Sequence, residues 1–146
     1  MIGKLLGIAV REKHRAAMTE IPLVSITAEA GLSGDFYGGR GSANRQVTVL
    51  AAEAWQAVCR DHGQDLPWTV RRANLLIEGL PLAHTTGAII TIDNVQLEIT
   101  GETDPCNRMD EASAGLRSAI EPEWRGGVCC RAVSYTHLTL PTNREV

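Results

Sequence analysis

The sequence predicts a mainly β domain with a few helices, of the α+β class. Short apolar segments with alternating polarity recur along the chain, and turn residues separate them at close intervals. Glycine occurs 14 times while aromatic residues make up only 4%, which is typical of many short strands joined by tight turns. Only two stretches change to a helical period.

The size and charge of the chain exclude several classes of protein. With 146 residues, 44% hydrophobic and 21% charged, it fits one globular domain, which we place at 1–133. A net charge of −3 argues against non-specific nucleic-acid binding. No apolar run approaches the roughly 18 residues of a membrane span. The N-terminus does not read as a signal peptide, so we expect a cytoplasmic protein with reduced thiols.

The predicted elements follow in order along the chain. Strands are expected at 4–10, 22–28, 45–50, 74–79 and 126–133, and the glycine-rich stretch 31–45 is expected to be a loop. The first helical stripe, ended by Gly63, contains Ala51, Ala54, Trp55, Val58 and Cys59. A hairpin is expected at 87–101, turning at Asp93–Asn94. The tail 134–146 has no clear period, and we interpret it as a non-native or disordered extension.

A second helix is predicted from Met109 to Ile120, ending before Pro122, and Cys106 lies just before it. A cysteine at a helix start has its thiolate stabilised by the helix dipole, so we expect a lowered pKa there. Such a thiolate serves as a nucleophile, a sulfur carrier or a ligand for a thiophilic metal. An inert N-cap cysteine is the alternative. By contrast, Cys129 and Cys130 are adjacent on a strand and should face opposite ways.

Arginines are concentrated at the predicted strand ends. They occur in "REKHR" at 11–15 and in "VRRANL" at 70–75, and Arg40 and Arg45 belong to the glycine-rich loop. Guanidinium groups suit phosphate and carboxylate ligands, so together they predict an anionic small molecule as ligand. Each group taken singly is also explained as a solvated surface.

The order of these segments resembles the MOSC domain, found at the C-terminus of molybdenum-cofactor sulfurases and as small stand-alone bacterial proteins. The likeness runs from about residue 3 to 133, and five segments carry it: "GLSGDFYGG", "RQVTVLAAEAW", "RRANLLIEGLPL", "GAIITIDNVQLEITGETDPCNRMDEASAGLRSAI" and "GGVCCRAV". Its most specific part is the hairpin followed by "PCNRM". The resemblance implies a small closed or partly open β-barrel, like the barrel of pyruvate kinase.

The resemblance also implies the site and its ligand. Cys106 matches the family's functional cysteine, which ligates molybdenum in the reductase branch. Asp35, Arg45, Asn74 and Arg108 match positions of the family's motifs, and together with Arg71 they are the expected cofactor-binding residues. The implied ligand is the molybdenum cofactor (molybdopterin). The family usually reads "GEN" where this chain has "RRAN", so the loop there is altered.

Three functions follow from this resemblance. The first is cofactor binding through Cys106, supporting oxo-transfer or reduction of N-hydroxylated compounds with a redox partner. The second is a sulfur carrier holding a Cys106 persulfide, supplied by a cysteine desulfurase and delivering sulfur for metal–sulfur cluster or cofactor assembly. The third is a non-catalytic cofactor-binding domain.

Overall fold

The computed structural model describes residues 3–13, 15–35, 45–92, 95–133 and 136–139. Its strands are β1 Lys4–Val10, β2 Thr19–Glu20, β3 Leu23–Thr27, β4 Gly31–Leu32, β5 Val47–Ala51, β6 Leu75–Glu78, β7 Ile89–Ile92, β8 Val95–Glu102, β9 Val128–Ala132 and β10 Thr136–Thr139. The α-helices are α1 Ala52–His62, α2 Asn107–Ala112 and α3 Leu116–Ile120, and short 3₁₀ helices lie at Trp68–Arg71 and Pro122–Trp124.

The strands of the described residues form two sheets. Seven strands form one sheet in the order β2-β1-β6-β5-β9-β8-β7, and β10-β3-β4 form the other. β5 and β6 pair in parallel, and α1 lies between them in the chain, while the other pairs are antiparallel. The larger sheet curls into a partly open barrel, which confirms the predicted mainly β fold with a few helices.

The core has two parts. Alternate side chains of the larger sheet and of β3 form the main cluster, in which Ile8, Leu75 and Ile92 are fully buried. The second cluster lies where the helices cover the sheet, and it contains Leu50, Trp55, Val58, Ala73, Met109, Leu116 and Ile120. Because α2 packs through Met109 and α3 through Leu116 and Ile120, the second core fixes the chain segment that follows Cys106.

The first predicted helix is confirmed, while the second is divided. α1 ends at Gly63, whose φ of 81° allows its amide to donate to the Cys59 carbonyl. The prediction of a single helix from Met109 to Ile120 is wrong, because the structure has two helices, α2 and α3, joined by a turn at 113–115. Gly115 lies in this turn with φ 87°, a left-handed conformation that an α-helix does not contain.

The hairpin β7–β8 is confirmed, and its predicted turn at Asp93–Asn94 lies outside the described residues. β8 also pairs with β9, where the register shifts between Ile99 and Gly101. Ile99 lies opposite Cys130 and Gly101 opposite Cys129, so Thr100 is one extra residue in β8. This β-bulge bends the strand shortly before the segment that leads to Cys106.

The chain beyond residue 133 contributes β10, which pairs with β3 in antiparallel register from Thr136↔Ile26 to Thr139↔Leu23. The non-native origin of 134–146 stays a prediction. None of the helices in the described ranges is long and apolar enough to cross a membrane.

Candidate functional site around Cys106

Cys106 is the N-cap residue that directly precedes α2. Its backbone is extended, with φ −125° and ψ −179°, and its carbonyl accepts a hydrogen bond from the Met109 amide. Pro105 before it is buried, whereas Cys106 itself is exposed. Since Pro105 fixes one side of the cysteine and the packed Met109 fixes the other, the thiol is presented to solvent on an anchored backbone.

The thiol lies at a cavity of about 540 Å³. The cavity is lined by residues of β8, by the segment from β8 to α2, by one residue of β9 and by one arginine before β5: Thr100, Gly101, Glu102, Asp104, Pro105, Cys106, Cys129 and Arg45. This volume is in the usual range for a small-molecule or cofactor site. Of the predicted site residues, the structure therefore brings Cys106 and Arg45 together.

Arg71 lies behind this cavity, with 6% of its surface exposed. Its Nε donates to the Gly126 carbonyl at 3.1 Å and its Nη2 to the Thr103 carbonyl at 2.9 Å. Burial lowers the pKa of the guanidinium, and the nearby Cys106 and Cys129 oppose that shift. Arg71 is thus a buried cation whose two hydrogen bonds go to neutral carbonyls, so its charge is left to act on groups in the cavity.

A second thiol reaches the same cavity. Cys129 lines it, is 4% exposed, and has its Sγ 3.2 Å from the Thr103 Oγ1. The neighbouring Cys130 is fully buried in the main core, where burial above all raises the pKa of its thiol to about 12. The prediction that the two adjacent cysteines face opposite ways is confirmed.

Two carboxyl groups form the acidic wall of the cavity. Glu102 and Asp104 both line the cavity. Burial raises the pKa of Glu102, the charge and hydrogen bond of Asp104 raise it further, and His84 and Arg71 act in the opposite direction. The imidazole of His84 also packs on the ring of Trp124, with the centroids 5.1 Å apart. The raised pKa means that Glu102 binds its proton more firmly than an isolated glutamate would.

We expect Glu102→Gln to melt at a higher temperature than the wild type at neutral pH. The folded-state pKa of Glu102 lies above its ordinary value of 4.5, so the folded protein binds this proton more tightly than the unfolded chain. That contribution to stability is present below about pH 4.5 and is lost as the pH rises through the folded-state pKa. The advantage of Glu102→Gln should therefore vanish in acid. Thermal denaturation across this range tests it, with exposed Glu29→Gln as control, and a pH-independent difference would contradict it.

Asp35 and Asn74 are engaged with the fold. The Asp35 carboxylate accepts a hydrogen bond from the Arg11 amide at 3.0 Å, and its side chain is also 3.9 Å from the Arg11 Nε. Asn74 is 3% exposed; its Oδ1 accepts from the Thr48 amide at 3.0 Å, and its Nδ2 donates to the Ala9 carbonyl at 3.1 Å. Neither belongs to the lining of the Cys106 cavity. Most of the predicted glycine-rich loop, 36–44, lies outside the described residues.

Arg108 lines a different cavity, of about 340 Å³, together with Arg72 and Glu111. Its Nε is buried without a hydrogen-bond partner among the described residues. The Glu111 carboxylate is 3.1 Å from the Arg15 guanidinium, and Arg72 has a left-handed backbone with φ 69°. Of the predicted site residues, Cys106 and Arg45 therefore line one cavity and Arg108 lines the other, while Asp35, Asn74 and Arg71 line neither.

Sequence reasoning missed several residues of the site. Cys129 joins the cavity because the bulge at Thr100 shifts the register of β8 against β9, and no local pattern predicts that bulge. Glu102 and Asp104 were visible as acidic residues beside Cys106, but the raised pKa of Glu102 was not. Within the described ranges, His, Cys, Asp and Glu side chains form no group of three or more that could hold a metal ion.

The fold of the chain is similar to that of several solved proteins. The YuaD protein of Bacillus subtilis gives a TM-score of 0.81 at 17% identity, covering 99% of this chain and 93% of that one. The YiiM protein of Geobacillus stearothermophilus gives 0.75 at 13% identity, covering 94% and 71%. YiiM of Escherichia coli gives 0.70 at 13% identity, covering 97% and 67%. At these identities the likeness shows the fold.

A family model supplies the relationship that these structures alone do not. No curated protein matches the chain. The model described as "MOSC domain" matches residues 37–134, well over half of the sequence, and the match includes β5 to β9, the helices and Cys106. The resemblance read from the segments around "PCNRM" is confirmed, and the chain belongs to the MOSC domain family.

Proposed function

We propose that this chain binds the molybdenum cofactor, with the Cys106 thiolate as the protein ligand of the metal. The observation that carries the proposal is the exposed Cys106 thiol at a cavity of about 540 Å³ that Arg45 also lines, with the buried Arg71 behind it. The MOSC family is associated with this cofactor, which supports the same assignment.

The residues present fit the chemistry of such a ligand. A thiolate suits a thiophilic metal, and guanidinium groups suit the anionic phosphate of a pterin cofactor. Arg45 is exposed at the cavity, so its side chain can adjust its position when a ligand binds. Arg71, by contrast, is held in place by its hydrogen bonds to the carbonyls of Gly126 and Thr103. The site thus combines the Cys106 thiolate as a soft metal ligand, the exposed Arg45 as a movable positive charge and the buried Arg71 as a fixed one.

Each residue of the site has its own role in this proposal. Cys106 binds the metal and Arg45 binds the anionic part of the cofactor, while Arg71 supplies a fixed positive potential. The carboxyl groups of Glu102 and Asp104 line the wall of the same cavity. When bound, the cofactor supplies oxygen-atom transfer chemistry, for which we propose N-hydroxylated compounds as the substrate class.

The other predicted cofactor-binding residues do not contact the ligand at the Cys106 cavity in this proposal. Asp35 and Asn74 act through the backbone that they hold, because their side-chain hydrogen bonds go to Arg11, Thr48 and Ala9. Arg108 contributes positive charge from the neighbouring cavity, where its Nε has no partner among the described residues.

We expect Cys106→Ser to lose most of its bound molybdenum after loading with the cofactor. The protein is loaded, freed of excess cofactor by gel filtration and measured for metal per chain. Cys59→Ser is the matched control, because Cys59 lies on α1 and hydrogen-bonds to the Leu66 carbonyl at 3.6 Å. Equal metal content in wild type and Cys106→Ser would overturn the proposal. Metal bound through Cys106 without turnover of any N-hydroxylated compound would identify a non-catalytic cofactor-binding domain.

The exposure of Cys106 also favours a second candidate, a sulfur carrier. In this function the Cys106 thiolate attacks the terminal sulfur of a cysteine desulfurase persulfide. The new S–S bond forms on Cys106 as the donor's S–S bond breaks and its thiolate leaves. Mass spectrometry after incubation with desulfurase and cysteine tests this. An added sulfur on wild type that Cys106→Ala lacks would support the carrier, and no added sulfur would exclude it.

A further inference from the structure

Gly101 occupies the position in β8 that lies opposite Cys129 of β9. The extra residue before it, Thr100, donates its Oγ1 to the Cys129 carbonyl at 3.0 Å and so stabilises the bulge. Gly101 and Cys129 both line the cavity that contains Cys106. The bulge therefore places a residue without a side chain on the wall of the candidate site, between the strand that carries Cys129 and the segment that leads to Cys106.

Backbone conformation does not explain the glycine. Glycine is required where φ is positive, as at Gly63 with φ 81° and Gly115 with φ 87°, because other residues adopt that region rarely. Gly101 is not among the positive-φ glycines, so an L-residue with a side chain can take its backbone conformation.

Packing does not explain it either. A Cβ at Gly126 would lie 2.7 Å from the Thr103 carbonyl oxygen and 2.8 Å from the Arg71 Nη2, so no side chain fits there. A Cβ at Gly7 would lie 2.8 Å from the Trp68 ring. At Gly101 a Cβ would meet nothing within 4 Å. Glycine in a strand lowers the stability of that strand relative to alanine. At Gly101 neither backbone conformation nor packing within the fold compensates for this loss of stability.

We propose that Gly101 is a specificity-determining residue of the Cys106 site. Because it has no side chain, it leaves a flat wall in the cavity, and a planar, conjugated ligand lies against this wall. A backbone face without a Cβ admits a ring at van der Waals distance, which a valine or leucine side chain would prevent. This inference rests on the proposed function in taking the Cys106 cavity as the ligand site.

The charges around Gly101 specify the ligand further. Arg45 lines the same cavity and Arg71 lies behind it, so an anionic group on the ring system is favoured at that end. The carboxyl groups of Glu102 and Asp104 line the same cavity close to Gly101 and favour an uncharged or hydrogen-bond-donating edge there. The ligand class is therefore a flat heterocycle with an anionic substituent.

The test uses the Cys106 thiol as a reporter and needs no cofactor. Gly101→Ala, Gly101→Val and the control Thr91→Val, an exposed position on β7 outside the cavity lining, are treated with two thiol reagents. Iodoacetamide is small, and N-(1-pyrenyl)maleimide carries a large flat ring. The rate of modification at Cys106 is followed by peptide-resolved mass spectrometry, which separates Cys106 from the other three cysteines.

We expect the pyrenyl maleimide to modify Cys106 about tenfold more slowly in Gly101→Val than in wild type, with Gly101→Ala between them. The rate with iodoacetamide and all rates in Thr91→Val should stay within about twofold of wild type, because the thiol itself is unchanged. The melting temperature of Gly101→Ala should equal or exceed that of wild type, since its backbone conformation is open to alanine.

Equal rates with the pyrenyl reagent in wild type and Gly101→Val would overturn the inference. Equal slowing of both reagents would also overturn it, because the substitution would then have altered the thiol and not the width of the cavity. Cofactor loading separates this inference from the proposed function. If Cys106→Ser retains full metal, the proposed function fails, and the comparison of reagents still decides the role of Gly101.

Discussion

Asn74→Ala is expected to lower the free energy of unfolding by about 3 kcal/mol. Its side chain joins three strands: it precedes β6, accepts from the Thr48 amide of β5 and donates to the Ala9 carbonyl of β1. The backbone amide of Ala9 also donates to the Asn74 carbonyl at 2.7 Å. Truncation leaves the half-buried Thr48 amide and the buried Ala9 carbonyl without the asparagine as partner, and each such loss costs about 1–3 kcal/mol.

Urea denaturation of the two proteins measures this effect. Asn107→Ala is the matched control, because Asn107 is exposed and its Oδ1 accepts from the Arg117 guanidinium on the surface. We expect that control to change stability by less than about 0.5 kcal/mol. A loss at Asn74→Ala no larger than the loss at Asn107→Ala would show that the asparagine does not hold β1, β5 and β6 together.

Arg71→Met is expected to weaken the binding of the anionic cofactor by about a hundredfold. With an effective dielectric of about 20, a unit charge would contribute about 3 kcal/mol to the binding of an anion about 6 Å away, which corresponds to that factor. The effect on folding should be smaller than at Asn74. Two carbonyls lose their donor, but the fold is also relieved of a desolvated cation, whose pKa burial lowers.

Equilibrium titration with the cofactor measures this affinity. Arg71→Lys keeps the charge without the planar fork that reaches both Gly126 and Thr103, so we expect an affinity between those of wild type and Arg71→Met. Arg117→Met removes an exposed surface charge and serves as control. Unchanged affinity in Arg71→Met would show that the buried Arg71 guanidinium does not contribute to cofactor binding.

Much of the fold could be predicted because hydrophobic period is a local signal. The short apolar run "KLLGIAV" predicted β1 with its observed bounds, and the apolar stripe through Trp55 and Val58 predicted α1. The hairpin was predictable for the same reason. The division of the second helix was not, because its apolar stripe continues across Gly115 and only the left-handed backbone there interrupts it.

The site was less predictable because non-local register decides it. Arg71 and Arg72 are adjacent in the sequence, yet the left-handed Arg72 follows a short 3₁₀ helix and Arg71 turns into the interior. Cys129 enters the cavity through the bulge at Thr100 in a neighbouring strand. Cys106 could be singled out because proline before it and a helical pattern after it are both local features.

X-ray absorption at the molybdenum edge of the loaded protein tests the central claim most directly, since it counts the atoms bound to the metal. The assignment of Cys106 as ligand predicts one more sulfur neighbour of molybdenum in wild type than in the small fraction of metal that Cys106→Ser retains. The same number of sulfur neighbours in both proteins would contradict it.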